Sequence, residues 1–352
     1  MSGEPRAVIL GGTGLLGSAT ARHLARAGWQ VTVTGRDPGH VPGDLPAAGV
    51  RFVRAEGYDP HTLAGLVGDE IELVVDCLCR TAADARALLQ IAARASSTVM
   101  VSTKAVYVDA AGHHNNSDTP PRFDGPVSET QPTVAPSTEN PLSREGYAAN
   151  KVAAEQVLLE SGDPVTVLRV SKAHGRGARP PREWVFVRRV LEHRPVLVLA
   201  NHGAGIDHPT AAANMAALVE TVAAKPGTRI LNCGDPNPPN GLQIARTIAN
   251  HLGHSWQEVL LDGDPNPPLG AYPWNAASPI VLDMSAADDL GYRPAGTYEE
   301  TVTAELDWLV ESAQRRGVDG VIGADETSFF SHFFDYELED QHLNVTRSAH
   351  DS

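Results

Sequence analysis

Val8-Ile9-Leu10-Gly11-Gly12-Thr13-Gly14-Leu15-Leu16-Gly17 is the stretch whose reading decides the fold. An apolar run enters a glycine loop, and an amphipathic segment from Ser18 to Ala27 follows without a break. That order is strand, tight turn, helix. Gly12-x-Gly14-x-x-Gly17, overlapped by Gly11-x-x-Gly14-x-x-Gly17, lets backbone approach a pyrophosphate closely, and the helix N-terminus offers free N–H groups and a favourable dipole. The competing reading is a glycine turn that binds nothing. The strand before the loop and the helix after it decide against that reading. Gly11, Thr13, Gly14, Leu15, Leu16 and Gly17 are therefore the expected dinucleotide contacts.

Working outward, short apolar runs at Gln30–Thr34, Arg51–Ala55, Ile71–Asp76, Thr98–Ser102 and Pro164–Ser171 read as strands. Between them Leu63–Val67, Ala82–Ala95 and Tyr147–Glu160 have helical spacing. Strands and helices in alternation mean parallel βαβ units, and right-handed crossovers make the sheet doubly wound. The fold class is α/β, a Rossmann-type doubly wound parallel sheet with a smaller C-terminal substrate domain. The expected division is a dinucleotide-binding domain over 1–175, with returning segments near 208–235. A mainly substrate-binding domain follows over 176–315, then a C-terminal extension over 316–352. Residues 109–143 break the rhythm, and a loop of that length inside a domain reads as functional, a lid over the site. The extension carries Phe329-Phe330-Ser331-His332-Phe333-Phe334-Asp335-Tyr336. So many aromatics would be an association hazard if exposed, so docking is expected, either on the chain itself or as a lid or oligomer contact.

Composition narrows the class. The chain has 352 residues and a formal net charge of −15, which argues against nucleic-acid partners because phosphates are repelled. No apolar run approaches the roughly 20 residues of a membrane span. The N-terminus lacks the apolar core of a secretory signal, and three cysteines give no disulfide framework, so a cytoplasmic protein with reduced thiols is expected. No His, Asp or Glu cluster has metal-ligand spacing, so no metal is expected.

The cofactor reading rests on the end of the second strand. An acidic residue there takes the ribose hydroxyls in NAD-binding folds. This chain has Gly35-Arg36. A guanidinium pairs with a 2′-phosphate that a carboxylate would repel, and glycine leaves it room, so NADP(H) is favoured and NAD(H) is the alternative. Glu56 or Asp59, after the third strand, is a candidate for the adenine amino group or else a loop cap, and Cys77 and Leu78, after the fourth, complete the cofactor side.

Tyr147-Ala148-Ala149-Asn150-Lys151 sets Tyr and Lys four apart on one helical face. A phenol ionises near ~10 in water, and an adjacent ammonium brings such a group toward working range. Ser102-Thr103 ends the fifth strand, at the edge where open α/β sheets bind ligands.

With these residues the chain resembles the extended short-chain dehydrogenase/reductase family, in its NAD(P)-dependent epimerase/dehydratase branch. The resemblance covers about residues 6–312. It is carried by the glycine loop, by Val101-Ser102-Thr103 with Val106-Tyr107, by Tyr147-x-x-x-Lys151, by Leu168-Arg169, and by Leu290-Gly291-Tyr292 with Trp308-Leu309. It implies Tyr147 as acid/base, Lys151 on the nicotinamide ribose, and Thr103 or Ser102 orienting the substrate oxygen.

The departures bear on the reaction. Family dehydratases follow that Thr with Asp-Glu, which perform the elimination, whereas Lys104-Ala105 stand here, so a sugar dehydratase is not expected. Lys172 stands where nucleotide-sugar members often have Asn, and His174-Gly175-Arg176 replaces Tyr-Gly-Pro. From Arg169 to Arg194 basic residues dominate an otherwise acidic chain. This reads either as a site for an anionic substrate, with Lys104, Lys172, His174 and Arg176 in contact, or as a solvated helix face.

The expectation is an NADP(H)-dependent oxidoreductase moving hydride between nicotinamide and a carbonyl or secondary alcohol of a sugar-like or anionic small molecule. The alternatives are an epimerase that retains its nucleotide and a non-catalytic cofactor-sensing or RNA-associated relative. The complete Thr, Tyr and Lys set speaks against the last. No membrane partner is expected, and a homodimer is one option for assembly.

Overall fold

A computed structural model describes residues 4–264 and 268–350. The chain runs β1 (Arg6–Leu10), α1 (Leu15–Arg26), β2 (Gln30–Gly35), α2 (Asp44–Ala47), β3 (Arg51–Arg54), α3 (Pro60–Val67), β4 (Ile71–Asp76), α4 (Ala82–Ala92), β5 (Ala95–Thr103), α5 (Arg144–Leu159) and β6 (Val165–Val170). It continues through β7 (Lys172–His174), α6 (Trp184–Leu191), β8 (Val196–Leu199), β9 (Pro209–Ala211), α7 (Ala212–Ala224), β10 (Arg229–Cys233), α8 (Gly241–His251) and β11 (Gln257–Leu260). The last elements are α9 (Ser285–Asp289), α10 (Tyr298–Arg316), α11 (Thr327–Phe330) and α12 (Tyr336–His350).

Seven strands form one parallel sheet in the order β10-β6-β5-β4-β1-β2-β3. Alternate residues of each strand feed opposite faces. Ile9, Val33, Val75 and Val101 pack on α1 and α7 through Leu24, Met215 and Val219. Val8, Leu10, Val74 and Met100 pack on α3, α4 and α5 through Leu63, Leu88 and Leu158. Burial on both faces is why these strands are near-continuous apolar runs rather than alternating ones. Strand order reverses between β1 and β4, which opens a crevice at their C-terminal ends.

A second core lies outside the sheet. Trp184 and Phe186 of α6, Ile244 and Ile248 of α8, and Leu306 and Leu309 of α10 meet Trp274, Phe330 and Phe333. The C-terminal extension thus docks on its own chain. Arg189 donates to Glu339 and to the Phe333 carbonyl at 2.6 and 2.7 Å, Arg194 pairs with Asp340 at 2.6 Å, and Arg188 lies over the Phe334 ring at 4.7 Å. Much of the basic run beyond Arg182 is consumed this way, so the anionic-substrate reading of Arg188, Arg189 and Arg194 gives way to tail docking. No helix among the described residues is long and apolar enough to cross a membrane.

Candidate active site

The glycine loop sits at the strand-order reversal. Gly17 lets α1 lie directly on the loop: a Cβ there would fall 2.6 Å from the Gly11 carbonyl oxygen. Gly14 differs, since its nearest neighbour for a Cβ is the Gly11 oxygen at 3.5 Å, so its missing side chain leaves an open face. At the end of β2, a Cβ on Gly35 would meet Thr13 Cγ2 at 2.9 Å, so this glycine serves packing of the loop as well as any phosphate. Arg36 is exposed beside it. Glu56 is exposed and its nearest cation is Arg54 at 3.8 Å.

Asp76 ends β4 and organises the turn facing the loop. It is fully buried and accepts from Tyr58 Oη at 2.7 Å and from the Leu78 and Cys79 N–H groups at 2.7 and 3.1 Å. Burial raises its carboxyl above the usual range, against the pull of those donors. The turn it holds sets Leu78 against Gly11. It also aims the Cys79 carbonyl at Lys151 Nζ, which donates there at 2.6 Å and to the Val101 carbonyl at 2.8 Å. Two backbone acceptors therefore fix the ammonium at the crevice floor.

Tyr147 lies one turn before Lys151 on α5 and is 36% exposed. Ser143 caps that helix through the Gly146 N–H at 2.9 Å, and Asn150 Nδ2 ties it to the Glu139 carbonyl at 2.7 Å. Thr103, Tyr147 and Lys151 all line one cleft of about 680 Å³, together with Leu16 and Cys77 from the cofactor side. Among the described residues the side chain of Thr103 accepts only from the Ala105 N–H, at 3.2 Å. Ser102 differs from the expectation. Its hydroxyl donates to Glu155, which also takes Arg169 Nη2 at 2.6 Å, all three buried. The Ser102 backbone borders the cleft, but its hydroxyl is committed elsewhere.

A family model for the NAD dependent epimerase/dehydratase family matches residues 7–234. The chain belongs to that family. Solved structures repeat the fold. A dTDP-glucose 4,6-dehydratase from Bacillus anthracis str. Ames is 15% identical with a TM-score of 0.65, over 88% of this chain and 98% of that one. A UDP-glucuronic acid 4-epimerase from Bacillus cereus is 18% identical with a TM-score of 0.62, over 87% and 99%. A UDP-N-acetylglucosamine 4-epimerase from Methanobrevibacter ruminantium M1 is 16% identical with a TM-score of 0.62, over 88% and 99%. No curated protein matches the sequence.

Lys104 is buried and paired with Asp207, whose other oxygen lies 3.1 Å from Lys172 Nζ. One carboxylate thus serves two ammoniums. Burial, then Lys172 and Arg182, push Lys104 well below its ordinary value, and burial, then Arg182, lower Lys172 to about 7. Lys172 keeps 19% of its side chain exposed between Ser171 and Ala173, which line the cleft.

His174 is buried against Asp235 at 2.6 Å, so its ring is turned into the core rather than presented at the cleft wall. Arg176 is exposed on the glycine-loop side: a Cβ on its neighbour Gly175 would stand 3.2 Å from Leu15 Cδ1, and its charge reaches Asp44 of α2. Besides Lys151, the cations lining the cleft are Arg80 and Arg144, with exposed Leu142 beside them. Sequence reasoning passed over these. The one signal for Arg144 was its place directly before the Tyr147 turn.

The 109–143 loop is largely tied down. Asp109 accepts from the N–H groups of Ala111, His113 and Arg122, which hold its carboxyl down at about 2, and Val127 and Tyr107 make bridges to Leu282 and Thr133. Only its end, at Pro141, Leu142 and Ser143, reaches the cleft.

Proposed function

We propose that this chain is a nicotinamide-dependent oxidoreductase that takes NADP(H) and transfers hydride to or from a carbonyl or secondary alcohol on a polar, anionic or sugar-like substrate. The observation that carries the reading is the convergence of Thr103, Tyr147 and Lys151 on the cleft that the glycine loop borders. In reduction, Tyr147 gives a proton to the nascent alkoxide, Thr103 steadies that oxygen, and Lys151, already set by two carbonyls, has a third N–H for the nicotinamide ribose. The cofactor, when bound, supplies the hydride. Dinucleotide groups fit the site: Gly14 offers an open face, and Arg36, exposed just after β2, is free to pair with a 2′-phosphate. Lys104 in place of an acidic pair supports a reaction without elimination.

Titration of the purified protein with NADPH and NADH, followed by nicotinamide absorbance against a panel of ketoses and nucleotide sugars, tests this. NADPH is expected to bind more tightly and to be consumed. Arg36→Ala is expected to weaken NADPH by roughly 1.5–3 kcal/mol, the scale of a charged hydrogen bond, and NADH little. Equal loss for both cofactors overturns the NADP(H) assignment. The second reading, an epimerase, is supported by the solved epimerases of the same fold. It is favoured instead if tightly held NAD(H) co-purifies and the nicotinamide shows no net turnover.

Lys172 gives the substrate reading a pH signature. Its ammonium is present below about 7 and lost above it. KM for an anionic substrate is therefore expected to rise as pH climbs through that value, with little change for a neutral analogue. Lys172→Gln should give the high-pH KM throughout. A flat KM profile in the wild-type protein would remove Lys172 from the substrate site.

A further inference from the structure

Three buried side chains, none of which lines the cleft, meet one another. His174 ends β7, Glu183 stands just before α6, and Glu305 lies within α10. They are 2%, 1% and 0% exposed, and one donor atom from each lies within 4.8 Å of the others. Each is held from behind. His174 Nε2 faces Asp235 at 2.6 Å, Tyr298 Oη donates to Glu183 Oε1 at 3.1 Å, and the Gly175 N–H donates to Glu305 Oε2 at 2.5 Å. What remains is telling: His174 Nδ1 and Glu305 Oε1 are buried with no hydrogen-bond partner among the described residues. Leaving such groups unmet costs free energy, so a ligand between them has a driving force.

We propose that His174, Glu183 and Glu305 form a binding site for a divalent first-row cation, zinc foremost. A histidine whose second nitrogen faces a carboxylate is the usual form of a metal ligand, because the carboxylate orients the ring and raises its basicity. One imidazole and two carboxylates suit zinc and its neighbours better than calcium or magnesium, which take oxygen alone. Zinc bonds of about 2.0–2.2 Å set tetrahedral donors roughly 3.4 Å apart, so modest inward rotation of the side chains closes the site. Glu183 and Glu305 are faced by the Arg182 guanidinium. Burial beside Glu183 raises the Glu305 carboxyl, so a bound divalent ion takes the place of a proton between the two carboxylates. The ion would join α6 and α10 to β7 and the adjoining Gly175, which packs on Leu15 of the glycine loop. It is a clamp between the outer helices and the cofactor side, independent of the reaction proposed above.

Metal analysis of protein purified without chelator is expected to find about one zinc per chain. Chelator should lower Tm, and zinc should restore it. Cobalt(II) added to the stripped protein should give visible d–d bands. Glu305→Gln, which keeps the shape and removes the charge, should weaken uptake roughly tenfold or more. The proposal is overturned by stripped wild-type protein that shows neither a zinc-dependent Tm shift nor cobalt bands. It is equally overturned by Glu305→Gln taking up zinc as tightly as wild type, which would place the metal on surface histidines. If Glu305→Gln does not fold, the cobalt spectrum of the wild-type protein decides alone.

Discussion

Tyr147→Phe is expected to slow the hydride-transfer step by about 10²–10⁴, the usual contribution of a positioned acid/base, with cofactor affinity nearly unchanged. The affinity expectation follows from position: Tyr147 is part-exposed on the cleft, whereas the proposed dinucleotide contacts are the glycine loop and Arg36. The ring is retained in Phe, so packing on α5 is kept and the loss reports the proton alone. Single-turnover nicotinamide absorbance measures the step, and fluorescence titration measures affinity. Thr103→Ala in the same assay should also fall steeply, because the adjacent Ser102 hydroxyl is held by Glu155 and has no freedom to stand in. A Tyr147→Phe protein with normal turnover would remove the proposed chemistry.

The second large effect concerns stability. Glu155→Ala is expected to destabilise the fold by about 3–5 kcal/mol, the cost of stranding a buried charge. The stranded group is Arg169, 4% exposed, which gives Glu155 its Nε and Nη2. Its remaining contacts are the Glu129 carbonyl at 3.3 Å and the Tyr107 ring at 4.8 Å, neither of which neutralises it. Replacing both members, Glu155→Leu with Arg169→Met, should recover most of that loss, since two apolar side chains leave no orphaned charge. Denaturant melts of the three proteins check this. A single Glu155→Ala change costing under 1 kcal/mol would mean that water reaches the guanidinium.

Local rules were enough for the sheet. The apolar runs of β1, β4 and β6, the glycine loop and the Ser143 and Thr81 helix caps all act over a few residues, so their meaning survives in the linear chain. The short strands β7, β8, β9 and β11 were not legible there. Three or four residues carry no periodicity, and their pairings, β7 with β9 and β8 with β11, exist only once the chain has folded back.

The site divides along the same line. Thr103, Tyr147 and Lys151 could be named from sequence because one helical turn and one strand end define them. The partners of charge could not. Arg189 finds Glu339 at a separation of 150 residues, Lys104 finds Asp207 at 103, and Ser102 finds Glu155 at 53. Whether a basic residue meets substrate, tail or core depends on what tertiary packing brings within a few ångströms, because a desolvated charge must be paired wherever it is buried. Sequence by itself determined the doubly wound sheet, the dinucleotide loop and the Tyr-Lys pair, all consequences of local backbone and hydrophobic order. Only the tertiary structure decided which charges face the cleft and that His174, Glu183 and Glu305 share one buried space, because those juxtapositions arise from long-range packing that no spacing records.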